Sequence, residues 1–302
     1  MSHGPQLMMA PHRWHLLMAK DRREHGAASG GGADGDPDEI RWSKWRRCME
    51  AIDELRVKLH EWSPDALILV GDDQHENLLD DAMPPFTVYV GAEAEASVSL
   101  RYLNESPATN RSRYEVPQRL GETLVEGLME QGFDVAYSRN LRHPGGLGHA
   151  FARPLKFLAS DGQIPVLPVM VNTYYPPAPS ARRCVEFGRA LRRALAANGE
   201  VEKVAVLASG GLSHTKIDEE LDRKVIGALE AADLDSLGNI PGEVLVRGTS
   251  EIRCWMVVAA LAERPARMID YQPLYRSAGN VGCAMGFAVW EQPGYPEGVR
   301  SP

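Results

Sequence analysis

Histidines, acids and glycines gather in four short polar stretches of this 302-residue chain. They are Ser2-His3-Gly4-Pro5, Gly71-Asp72-Asp73-Gln74-His75-Glu76, Ser209-Gly210-Gly211-Leu212-Ser213-His214 and Gly248-Thr249-Ser250-Glu251, each beside an apolar run. Two imidazoles and one carboxylate hold a ferrous ion on one face and leave the other face open. A further histidine nearby can exchange protons with whatever binds there. The combination points to oxygen chemistry at a non-haem metal.

Each residue also has a plain structural reading. His75 stands among acids and an amide after an apolar run, where a surface loop would carry the same residues; Asp73 and Glu76 are placed to orient its ring. His3 lies where chain ends fray, and His12, His15 and His25 are other imidazoles close by, although Gly4-Pro5 points to a fixed turn. Glu251 opens an apolar segment, where the helix dipole alone favours a carboxylate. His214 follows Gly210-Gly211, where backbone can approach a ligand closely. His149 ends Gly145-Gly146-Leu147-Gly148 ahead of another apolar helix, with His143 as its near competitor.

The elements that must carry these residues alternate between helix and strand. Apolar periodicity predicts helices over 39–61, 117–131, 180–198, 217–232 and 251–263, with Ser250 as the N-cap of the last. Apolar runs predict strands over 66–70, 86–90, 135–137, 164–171, 203–208, 268–274 and 283–290. The run Ala66-Leu67-Ile68-Leu69-Val70 suits a strand covered on both faces. Residues 92–113 show no period, and residues 26–36 are Gly-rich and read as a flexible insert. The expectation is an α/β fold: one catalytic domain over 1–302, a central mixed sheet flanked by helices, and the site at the carboxyl edge of the strands. Residues 2–7 are expected to lie extended against 66–70, bringing His3 to His75.

The bulk properties narrow the function. The chain is 44% hydrophobic and 25% charged, an ordinary globular composition. A net charge of −8 without a basic stripe argues against nucleic-acid binding, and Arg182-Arg183 and Arg192-Arg193 read as a solvated helix face. No apolar run approaches the roughly 18 residues that span a bilayer. The N-terminus carries no signal-peptide pattern, and Cys48, Cys184, Cys254 and Cys283 are scattered without a CxxC pair, so a cytoplasmic protein with free thiols is expected.

Taken in order along the chain, the motifs SHGPQL (2–7), VGDDQHE (70–76), MPPF (83–86), ASGGLSH (208–214), GTSEIRCW (248–255), DYQPLYRS (270–277) and GCAMGFAVW (282–290) resemble those of the class III extradiol ring-cleavage dioxygenases, the catalytic-subunit type of protocatechuate 4,5-dioxygenase. The resemblance covers nearly the whole chain. It implies Fe(II) held by His3, His75 and Glu251, with His214 as the acid/base histidine and His149 as a second active-site histidine. It implies an oxidoreductase that adds both atoms of O2 to a catechol-type ring, with protocatechuate or gallate as the default substrate. The partners it implies are an aromatic small molecule and O2, in a homo-oligomer or together with a separate small helical subunit. The chain departs from the pattern in having Gly-His-Ala around His149, where relatives often have Asp-His-Gly, and in having only Met1-Ser2 before His3. The readings kept beside it are a zinc-dependent hydrolase and a non-catalytic metal-binding subunit on the same fold.

Overall fold

The computed structural model describes residues 1–17, 35–99, 105–106, 110–199, 201–277 and 279–291. Along them run α1 (Asp38–Trp62), β1 (Ala66–Gly71), β2 (Phe86–Tyr89), β3 (Glu93–Ser97), β4 (Arg111–Glu115), α2 (Gln118–Glu130), β5 (Ala136–Ser138), α3 (His149–Leu158) and β6 (Val166–Val171). Then come α4 (Ala181–Ala196), β7 (Val204–Ala208), β8 (His214–Lys216), α5 (Glu219–Glu230), α6 (Leu234–Gly238), α7 (Ile252–Ala262), β9 (Arg267–Ser277) and β10 (Val281–Val289). Most of the Gly-rich stretch, residues 26–34, lies outside the described residues.

The central sheet has the order β5-β2-β6-β1-β7. It is mixed: β1 pairs in parallel with β6 and β7, β2 in parallel with β5, and β2 antiparallel with β6. All six residues of β1 and of β6 are buried, as continuous apolar strands covered on both faces must be. Helices α2, α4 and α7 pack together on the sheet, while α3 packs on β1 and on α1. A second, antiparallel sheet of order β8-β10-β9 lies against α1. The fold is therefore α/β with a mixed central sheet flanked by helices, as the sequence predicts.

The N-terminal segment differs from expectation. Residues Pro5–Met8 form a 3-10 turn and not a strand, because Pro5 fixes the first dihedral and removes the donor that a strand would need. The segment is anchored all the same. Ser2 N donates to Gly286 O and Gly286 N donates to Ser2 Oγ, both at 2.9 Å, so residue 2 is tied to β10. The Met1 amine donates to Ala208 O at the end of β7 at 2.6 Å. Met1, Leu7, Met9 and Trp14 then fill a second apolar cluster with Met285 and Phe287. The anchor is thus β7 and β10, not β1.

Candidate metal centre

The N-terminal segment, the start of α3 and the turn before α7 meet beside the segment that follows β7. Ser209 N donates to Val70 O at 2.7 Å, which carries the β7 pairing one residue past the strand and sets a serine there. His3 reaches this point from the N-terminal segment, His149 from the first residue of α3, and Glu251 from the 3-10 turn Arg247–Glu251 that leads into α7. One ligand atom from each of His3, His149 and Glu251 lies within 4.8 Å of the other two. His3 is 3% exposed and Glu251 is 1% exposed, so this polar group sits inside the protein.

Hydrogen-bond partners fix both imidazole tautomers. Ser209 Oγ gives its only proton to the Ala150 carbonyl, so in its 3.0 Å contact with His3 Nδ1 the ring must donate. Glu76 accepts from the His149 backbone N–H and sits 3.0 Å from His149 Nδ1; a carboxylate only accepts, so this ring also donates from Nδ1. Each histidine is left with a lone pair on Nε2, and His3 Nε2 stands 3.9 Å from Glu251 Oε2. Burial first, then the charges of His149 and Arg153, hold the His3 pKa well below its ordinary value, which keeps that lone pair free. Burial would push Glu76 up, but the charge and hydrogen bonds of His149 outweigh it and hold the carboxyl at about 2. Oriented imidazoles with a carboxylate partner behind one of them are how proteins present nitrogen ligands to a metal. The donor set suits a divalent ion.

His75, the expected second ligand, is not brought to this group. Its backbone is left-handed, with φ of +55°, and the ring turns away to stack on Tyr175 at 3.5 Å between centroids and 7° between planes. Its Nε2 lies 3.1 Å from Asp80 Oδ1 but outside hydrogen-bonding geometry. The preceding residue faces the site instead: Gln74 Nε2 donates to Glu251 Oε1 at 2.8 Å, while Gly211 N donates to Glu251 Oε2 at 2.8 Å. Each carboxylate oxygen thus has one neutral donor that fixes its direction. Gln74 has no sequence signal of its own, since an amide between acids reads as loop polarity. His143 stays apart, with Nδ1 accepting from Gly145 N at 3.1 Å.

His214 stands beside the three without joining them. Its Nδ1–H donates to Leu212 O at 3.2 Å, and Nε2 points toward Glu251 Oε1 at 3.6 Å. The ring fits only because its neighbours lack side chains: a Cβ on Gly248 would lie 2.1 Å from His214 Cδ2, and one on Gly211 would lie 2.4 Å from Nδ1. The loop is held from behind by Asp222, which accepts from Ser213 N, Ser213 Oγ and Tyr271 OH, each at 2.7 Å. Ser250 does not cap α7; its hydroxyl donates to Thr173 Oγ1 at 3.1 Å, under Asp72. Asp72 is fully buried, its Oδ2 has no hydrogen-bond partner, and burial followed by the charge of Glu251 pushes it up to about 7.

Comparison with known proteins bears on this arrangement. The family described as "Catalytic LigB subunit of aromatic ring-opening dioxygenase" matches residues 24–286, which takes in His75, His149, His214 and Glu251 and leaves out His3. A 2,3-dihydroxyphenylpropionate/2,3-dihydroxicinnamic acid 1,2-dioxygenase of Klebsiella pneumoniae is 31% identical over 184 residues, 58% of this chain and 54% of its own length. The enzyme so named (number 2) from Pseudomonas putida is 30% identical over 187 residues, 59% of this chain and 55% of its own. The chain thus spans about half the length of these relatives. The crystal structure of an uncharacterized protein of Escherichia coli K12 covers 78% of this chain and 91% of its own at 16% identity, with a TM-score of 0.44.

Proposed function

The chain belongs to the family of catalytic LigB subunits of aromatic ring-opening dioxygenases, and from that premise we propose that it is an Fe(II)-dependent extradiol dioxygenase acting on a carboxylated catechol. The observation that carries the reading is the convergence of His3, His149 and Glu251 within 4.8 Å, with Nε2 as the lone-pair nitrogen of each ring. Two nitrogens and one carboxylate are the ligand set of non-haem ferrous oxygenases.

His3, His149 and Glu251 would hold the iron. Such an ion, when bound, would bring the diol and O2 together and let electrons pass from the ring to O2. The remaining work falls to side chains. His214 Nε2, free and aimed at the site, takes a proton from a catechol hydroxyl and returns one as the ring opens. Imidazole suits the task because its ordinary pKa of about 6.5 lies near working pH. Gln74 and Gly211 keep Glu251 oriented, Ser209 and Glu76 keep the two rings oriented, and the buried setting limits water. Both oxygen atoms end in the product, and the ring bond beside the diol is broken. A cytoplasmic location, and assembly as a homo-oligomer or with a small helical subunit, are part of this reading.

The test is anaerobic loading with Fe(II), addition of carboxylated catechols, and admission of O2. The expected outcome is a yellow ring-opened product with one O2 consumed per catechol. No O2 uptake and no ring-opened product with any of these catechols would overturn the reading.

A further inference from the structure

Arg153 is a cation beside this centre. It lies on α3 four residues beyond His149, so the two side chains share one helix face about 5–6 Å apart at Cβ. Its Nη1 donates to the His3 carbonyl at 3.3 Å. That contact sets the guanidinium beside His3, and its charge helps to lower the pKa of that ring. The side chain is only partly exposed, and among the described residues it forms no ion pair. The carboxylates of the centre are already engaged: Glu76 by the His149 ring and backbone, and Glu251 by Gln74 and Gly211. A partly buried guanidinium with most of its five donors unspent is costly unless an anion meets it. A divalent ion held by the neighbouring residues would add positive charge and sharpen that need.

We propose that Arg153 binds the carboxylate of the aromatic substrate and so sets which end of the molecule faces away from the diol. The guanidinium fork matches a carboxylate with two parallel hydrogen bonds, which an ammonium cannot reproduce. Its fixed distance from His149 then sets how far the carboxylate stands from the two ring oxygens. Arg153 is a substrate-binding residue for the charged substituent and takes no part in the proton transfers. The assignment deepens the dioxygenase reading and rests on it.

The experiment measures binding rather than turnover. Fe(II)-loaded protein is titrated by calorimetry without O2, once with a carboxylated catechol and once with its neutral methyl amide. The wild type is expected to favour the acid, and Arg153→Gln to weaken the acid by about 10- to 100-fold, as loss of a charged hydrogen bond predicts. The affinity for the amide and the iron content should not change. Arg153→Lys, which keeps the charge and loses the fork, should fall between, and it serves as the second variant where Arg153→Gln does not fold. Equal binding of acid and amide by the wild type overturns the assignment of Arg153 alone. So does an equal loss of both ligands, or a loss of iron, in Arg153→Gln, because the guanidinium would then serve only to hold His3. A wild type that binds neither catechol overturns the dioxygenase reading and this assignment with it.

Discussion

At the scale of single residues, the second imidazole is the sharpest point. His75→Ala should keep its iron, because that ring is stacked on Tyr175, whereas His149→Ala should lose it; iron content after desalting decides, and retention by His149→Ala would return His75 to the ligand set. Replacing the partners behind the rings should act more gently. Glu76→Gln or Ser209→Ala is expected to lower iron affinity by about 10- to 100-fold without abolishing it, read by competition with a chelator. His214→Phe should keep iron and lower turnover by about 10²–10⁴-fold. Of the five residues singled out from sequence, His3, His149, His214 and Glu251 lie near one another. His75 stands apart for a local reason. Gln74 and His75 are neighbours in one loop, and a left-handed residue at 75 decides which of the two side chains meets Glu251. No pattern of residue types encodes that choice.

At the scale of elements, the loop between β7 and β8 leads into His214, the first residue of β8, and its rigidity comes from outside the loop. Asp222 on α5 and Tyr271 on β9 hold Ser213, one residue before His214. Asp222→Asn replaces an all-acceptor group by one that must turn a donor toward a donor. The expected cost is about 1–3 kcal/mol of stability, with iron retained, and thermal unfolding with metal analysis checks both. Long periodic helices and fully apolar strands were readable because burial on one or both faces writes itself into the order of residues. The hairpin β3–β4 was not: it lies within 93–115, and its outward residues, Glu93, Glu95, Arg111 and Arg113, pair across the strands as ions. Cross-strand charge pairs stabilise a hairpin without leaving an apolar alternation. The three-residue strand β8 was missed because it is short and only partly buried.

At the scale of the whole molecule, the buried acid Asp72 ties stability to pH. An unfolded aspartate releases its proton near 3.8, while in the fold this happens near 7. Between those values the folded state carries the extra proton, so stability from this group falls as pH rises through the window. His3 runs the other way over part of the same range, since its depressed pKa makes stability rise as pH climbs toward 6.5. The two are separated by comparing metal-free wild type with Asp72→Asn: the variant should gain on the wild type as pH goes from 4 to 8, by an amount on the order of a few kcal/mol. A constant difference across that range would show that Asp72 does not titrate there. One further consequence follows from the hydrogen bonds between Ser2 and Gly286. Residues 2 and 286 are far apart in sequence, so the segment that carries His3 gains these two hydrogen bonds only once β10 has folded. Before that, the Met1 amine on Ala208 O is the tie that remains at this end of the segment. Closure of the cluster of His3, His149 and Glu251 is therefore a late event in folding, coupled to the pairing of the last strand.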